Sequence, residues 1–198
     1  MGAHGYGGSL ALRLEPAPVD EQAFIAAALE GDESARAWLL RQHSTPVYRF
    51  CLRMLSNEED AQDAAQETMV KVLRNLHRYR SDWRFSTWVF GIARNTCIDE
   101  HRRRKRRRST SDVEIVDKSA SPFEITEREM EAERLRGALE ELPPLYREVL
   151  LLYHFEQLKY REIADLLDLP LGTVMNRIFR ARKRLRTLFD ELEAGGNA

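Results

Sequence analysis

The chain predicts an all-α fold made of two small helical domains joined by a flexible linker, and three observations carry that reading. Apolar residues recur at helical spacing from Gln22 to Arg107 and again from about Phe123 onward. No alternating apolar and polar run of the strand type persists anywhere. Between the helical stretches, residues 109–122 are rich in Ser and Asp and carry no helical stripe. The domains, about 85 and 70 residues long, are each large enough for a small core and no more. Their expected bounds are 22–108 and 123–193, with residues 1–21 and 194–198 as disordered ends.

The N-terminal domain opens with Phe24, Ile25, Ala28 and Leu29 on a first short amphipathic segment. A second segment carries Ala37, Trp38, Leu40, Val47, Phe50, Cys51, Met54 and Leu55 and is expected to bend or break at Pro46. Ser56 or Asn57 can cap a third helix, whose Ala61, Ala64, Ala65, Met69, Val72, Leu73 and Leu76 share one side. Its opposite side shows Asp63, Gln66, Glu67 and Val70. After Arg80-Ser81-Asp82, a fourth helix starts near Ser86 and takes its core from Trp88, Val89, Ile92, Ala93 and Ile98. In the C-terminal domain, helices run from Phe123 to Leu142, stop at Pro143-Pro144, resume from Tyr146 to His154, and end in a helix-turn-helix.

That last motif, Tyr160 to Arg186, reads as two helices around a turn at Leu169 to Gly172, with Thr173 as N-cap of the second. At 100° per residue, Val174, Ile178, Ala181, Leu185 and Leu188 fall within an arc of about 80° and pack inward. Asn176, Phe179, Arg180 and Lys183 then point outward, flanked by Met175, Arg177, Arg182 and Arg184. Arg180 has the fork for guanine O6 and N7, Asn176 suits adenine or a phosphate, and Phe179 can press on a thymine methyl. A lone basic helix is more often a solvated face, but helix, turn and second helix coincide here.

Charge is segregated along the chain. A formal charge of −1 conceals the basic run His101 to Arg108 and the acidic stretch Glu58 to Glu67, so the average says little about partners. Cys51 and Cys97 lie far apart without metal-ligand spacing and read as buried small hydrophobes. The histidines are scattered, and no P-loop, HExxH or carboxylate cluster of metal-site spacing stands in the chain, so neither an enzyme nor a metal or cofactor is expected. No apolar run approaches the roughly 18 residues that cross a bilayer, and the Gly-rich start lacks the basic and apolar regions of a signal peptide. A cytoplasmic protein without membrane insertion is expected.

Taken in order, these features resemble a bacterial sigma factor of the extracytoplasmic-function group, over nearly all of residues 22–190. Three blocks carry the resemblance: EDAQDAAQE from Glu59, FSTWVFGIARNTCIDEHRRRKR from Phe85, and YREIADLLDLPLGTVMNRIFRARKRLR from Tyr160. The resemblance implies a protein that binds core RNA polymerase, recognises −35 and −10 promoter DNA, opens the duplex, and is masked by an anti-sigma partner. It implies Asp60, Asp63, Gln66, Glu67 and Val70 as the polymerase-binding set. A helix dipole explains acids at Glu58, Glu59 and Asp60 equally well, but not Glu67, two turns further in.

For the −10 strand the resemblance implies Tyr79 and Asn95 at a flipped-base pocket, Arg80 and Ser81 in a specificity loop, and Arg102, Arg103 and Arg104 on phosphates. An aromatic ring captures a base with about 1–3 kcal/mol, comparable to the cost of unstacking one. Tyr79 can equally be a ring packed at a helix end, and Trp88 reads as core. For the −35 duplex it implies Thr173, Met175, Asn176, Arg177, Phe179, Arg180 and Lys183, with Met175 standing where the family is often basic or polar. An ordinary helix-turn-helix activator or repressor accounts for residues 160–186 only, and a nuclease finds no site.

Overall fold

The computed structural model describes residues 20–110 and 127–195, so the expected disordered ends and linker lie largely outside the described residues. Among the described residues every regular element is helical, and the chain divides into two compact units, residues 1–39 and 40–198.

In the first unit, Asp20 caps helix α1 (Glu21–Leu29) by accepting from the backbone of Gln22 at 3.0 Å. Gly31, at φ 102, makes a reversal that a side chain would strain. Asp32 then accepts from Ser34 N at 2.7 Å and starts α2 (Glu33–Leu55). Arg36 Nε donates to the Ala28 carbonyl at 3.0 Å, and Phe24 stacks on Trp38 with centroids 4.2 Å apart.

Pro46 lies inside an unbroken α2, so of the bend or break expected there the break does not occur. Val47, Phe50 and Cys51 just beyond it are fully buried, and keeping three such side chains in the core outweighs the one backbone bond that proline forfeits. Ser56, at φ 54, reverses the chain, and Asn57 caps α3 (Glu58–Asn75) by accepting from Asp60 N at 2.8 Å. Leu73, assigned to the inward side of α3, is instead exposed beside Val70, because the buried stripe of Ala61, Ala64, Thr68 and Val72 runs along the opposite edge. A 3-10 turn (Leu76–Arg78) leads through the loop to α4 (Phe85–Thr110), which extends into the stretch expected as linker. Phe50 meets Phe90 at 5.5 Å and His43 sets its edge on Phe85 at 5.1 Å.

Cys51 and Cys97 are both buried, and contact with Cys51 together with burial pushes the Cys97 thiol far above its ordinary range. Such thiols act as packing groups.

Beyond α5 (Glu127–Glu140), Pro144 occupies the first position of α6 (Pro144–Leu150), where its missing N–H has no intrahelical partner to lose. A π-turn (Leu151–Phe155) buries Leu151 and Leu152, and α7 (Tyr160–Leu167) follows. Asp168, in the left-handed region at φ 51, ends α7. The last helix, α8 (Leu171–Gly195), begins two residues before the expected cap at Thr173. Pro170 O closes its first turn by accepting from Thr173 N at 2.8 Å, so Thr173 lies inside the helix rather than capping it. The proline supplies that carbonyl at a position where it needs to donate nothing.

Within the second unit α4 packs against α7 as well as α3. Glu148 of α6, only 7% exposed, pairs with Arg94 of α4, and Thr87 Oγ1 donates to Glu162 Oε1 at 3.3 Å. Arg147 Nη1 donates to the Met54 carbonyl at 3.0 Å, and the Arg53 guanidinium lies 4.0 Å above the Phe155 ring. Leu166 fills the space over Gly91, where an added Cβ would stand 3.2 Å from its Cδ1.

Candidate nucleic-acid interface

Helix α8 separates its faces by periodicity alone. Val174, Ile178 and Ala181 are buried at 0, 1 and 0% exposure, while Phe179 is 69% exposed and Met175 51%. Asn176, Arg180 and Lys183 are exposed on the same outer side, and Thr173 and Arg177 are half-buried at its edge. Phe179 and Met175 thus place two large apolar side chains in water on this outer side. Leu145 and Tyr146 of α6 border the start of this face, in one shallow hollow with Thr173, Asn176, Arg177 and Arg180.

Arg182 belongs to a different environment from the one expected. Its guanidinium lies 5.0 Å from the Tyr153 ring, and its Nε donates to His154 Nε2 at 3.1 Å. Burial and the nearby Arg182 charge hold the His154 pKa below its ordinary value, which keeps that nitrogen an acceptor.

The second basic surface is α4 with the loop before it. Tyr79 is half-buried, its ring against Phe85 at 5.1 Å and Trp88 at 5.6 Å, and its hydroxyl donates to the Trp83 carbonyl at 2.7 Å. Tyr79 therefore braces the loop that carries Arg80, Ser81 and Trp83, all exposed. Arg80 pairs with Asp82 at 3.3 Å. Asn95 is exposed on α4, and its Oδ1 accepts from Arg94 Nη1 at 3.1 Å.

Two helical turns on, the expected phosphate-tracking arginines are held by carboxylates. Arg102 lies 3.7 Å from Asp99, Arg103 meets Glu100 at 3.0 Å and Glu67 at 3.4 Å, and Arg104 meets Asp60 at 3.3 Å. Two of those acids, Asp60 and Glu67, belong to the set on α3 expected to bind polymerase, so the structure brings the two expected sites together along the α3–α4 seam. Lys71 reinforces the seam, bonding Glu67 at 2.8 Å and Thr96 at 3.1 Å. The Lys71 hydrogen bond, with the Lys71 and Arg103 charges, holds the Glu67 carboxyl below its ordinary pKa against the opposing effect of burial. Asp63, Gln66 and Val70 stand exposed beside Glu67, and Leu73 widens the apolar part of the patch.

Sequence reasoning missed Arg94. Nothing in its neighbours marks it, since its partner Glu148 is 54 residues away on another helix.

Comparison with known proteins bears on both surfaces. Residues 32–107 match the family described as Sigma-70 region 2, and residues 132–185 match Sigma-70, region 4. The ECF RNA polymerase sigma factor SigE of Mycolicibacterium smegmatis is 37% identical over 79% of this chain, which spans 63% of that relative. The ECF RNA polymerase sigma factor SigW of Bacillus subtilis is 30% identical over 82% of this chain and 93% of its own. Among solved structures, CnrH in complex with the cytosolic domain of CnrY matches with a TM-score of 0.66 at 26% identity, covering 86% of this chain and 97% of that one.

Proposed function

The chain belongs to the extracytoplasmic-function group of sigma-70 factors, and from that membership we propose how its surfaces divide the work of promoter recognition. It is a sigma factor, which binds core RNA polymerase, recognises promoter DNA and starts transcription. Residues 22–108 act as region 2 and residues 123–193 as region 4. On α8, Arg180 reads a guanine edge, Phe179 packs on a thymine methyl, Asn176 reads adenine or a phosphate, and Met175 makes an apolar contact. Thr173, Arg177 and Lys183 hold the −35 backbone. On α4, Asn95 reads a base of the −10 strand, while Arg80, Ser81 and the Tyr79-braced loop surround it. Arg102, Arg103 and Arg104 follow its phosphates. On α3, Asp60, Asp63, Gln66, Glu67 and Val70 dock on the polymerase.

The mechanism is binding, not covalent catalysis. Capture of the opened strand offsets part of the lost pairing and stacking, and tethering two weak readers on one polymerase multiplies their effective affinity. The work is done in the cytoplasm, where polymerase and chromosome are, and no described helix is long and apolar enough to cross a membrane. An anti-sigma protein is the regulator we propose from the family, and CnrH, a structural neighbour, was likewise solved bound to another protein, the cytosolic domain of CnrY.

Phe179 and Met175, both large, apolar and exposed among the basic residues on the outer side of α8, carry this reading furthest, because together they offer an apolar contact to another molecule. The test is reconstitution. Purified chain added to core polymerase should co-elute with it and start transcripts at discrete genomic sites. Random initiation, or separate elution, contradicts the assignment.

A further inference from the structure

We propose that Trp83 is a stacking platform for one unpaired base of the −10 strand, a role distinct from the edge reading assigned to Asn95. The inference deepens the reading that α4 and the loop before it serve the opened strand, and it rests on that reading.

The chain has three tryptophans, and their surroundings differ. Trp38 stacks on Phe24, and Trp88 is half-buried against Tyr79 and Phe85, with ring centroids 5.6 and 5.5 Å away. Trp83 instead stands on the loop with 39% of its surface in water. Its backbone is nevertheless fixed from both sides. Trp83 N donates to the Arg80 carbonyl at 3.4 Å, and the Trp83 carbonyl accepts from the Tyr79 hydroxyl at 2.7 Å. Two residues on, Phe85 is fully buried and anchors the loop to the start of α4. An indole on a fixed backbone has only two side-chain torsions left to order when it binds.

The setting of the ring selects its ligand. His77, Arg78, Arg80 and Arg84 are exposed along the same short stretch, and Asp82, the one acid in residues 77–84, is taken up by Arg80 at 3.3 Å. An exposed indole among cations suits a flat π-face with a phosphate beside it, which is what every unpaired nucleotide offers. In intact duplex the faces of the bases are covered by their neighbours, so the ring finds no such partner until the strands separate. Stacking on Trp83 therefore favours the opened state and adds nothing to −35 binding.

The test uses holoenzyme made with the full-length chain and a promoter fragment held open by mismatches across −10, with 2-aminopurine placed at one non-template position at a time. An indole stacked on that base quenches its fluorescence. One position should be dark with the wild-type chain, bright with Trp83→Ala and intermediate with Trp83→Phe. Affinity for the opened fragment should fall about fivefold or more in Trp83→Ala, the lower end of what one base–aromatic stack supplies. The slope of log affinity against log salt should stay as it is, because no cation is lost, whereas a collapsed loop would displace Arg80 and Arg84 and flatten it. Binding to core polymerase should be unaltered. Equal brightness at every position with wild type and Trp83→Ala, an unchanged affinity, a flattened salt slope or a loss of polymerase binding would overturn the stacking role. Failure of wild-type holoenzyme to bind the opened fragment would instead take down the functional reading beneath it.

Discussion

Helix α8 and helix α4 both present arginines, yet they are prepared for DNA in opposite ways. On α8 the outward residues stand clear, with Phe179 69% exposed and a fully buried stripe fixing the helix behind it. On α4 the corresponding groups are occupied by the chain itself: Arg103 by Glu67 and Glu100, Arg104 by Asp60, and Asn95 by Arg94. The contrast fits the targets proposed for the two helices. Intact duplex has a fixed groove, so a rigid, unencumbered helix loses little entropy in reading it. An opened strand exists only after melting, and in the proposed reading arginines paired within the protein are exchanged to its phosphates once it is there. The exposed Arg102–Asp99 pair is worth about 0–1 kcal/mol, weak enough for the exchange, whereas Arg103 and Arg104 meet the largely buried Glu100 and Asp60 and are held more firmly.

The largest expected effect concerns the acids at the seam. Asp63→Arg with Glu67→Arg should abolish holoenzyme formation while far-UV circular dichroism stays native, and normal co-elution with core polymerase would remove these residues from the docking surface. Next, Arg180→Ala should cost about 1–3 kcal/mol at one −35 base pair and leave thermal stability unchanged. Arg104→Ala should lose both stability and strand binding, because it gives up Asp60 as well as DNA. If the two arginines behave alike in both assays, the distinction between a free face and a held face fails.

Smaller effects sharpen the picture. Tyr79→Phe keeps the ring contacts and deletes the bond to the Trp83 carbonyl, a change of about 0.5–1.5 kcal/mol. It should slow promoter opening, seen as weaker permanganate reactivity at −10 thymines, without affecting polymerase binding. An unaltered opening rate would leave Tyr79 as a packing residue. Smallest is a pH effect at Glu156, whose carboxyl burial pushes up to about 7, with Arg53 opposing. The folded state keeps this proton while the unfolded chain releases it near its ordinary value of 4.5, so stability falls as pH rises from about 4.5 through 7. Glu156→Gln should flatten that part of the Tm profile, and an identical slope in the variant would show that other groups set it.

What was legible in the chain follows from the range of the forces involved. The inner stripe and outer face of α8 follow from a 3.6-residue period, and Val174, Ile178 and Ala181 are buried where that period puts them. Asn57 as a cap is equally local. Thr173 misled because local preference competes there with the left-handed turn at Asp168, while burial on either side keeps α2 unbroken through Pro46. Leu73 misled because a stripe assigned by angle does not say how wide the neighbouring helix is. The pairing of Asp60 with Arg104 and of Arg94 with Glu148 joins residues on different helices, and only packing reveals it.

The most direct test is initiation by this chain with core polymerase on a library randomised at −35 and −10, comparing wild type, Arg180→Ala and Asn95→Ala. The expected result is a relaxed preference confined to one −35 position for Arg180→Ala, and a loss of −10 preference and strand opening for Asn95→Ala. The same positions shifting in both variants, or no selection by the wild-type chain, would contradict a preformed duplex reader acting beside a separate strand-capturing surface.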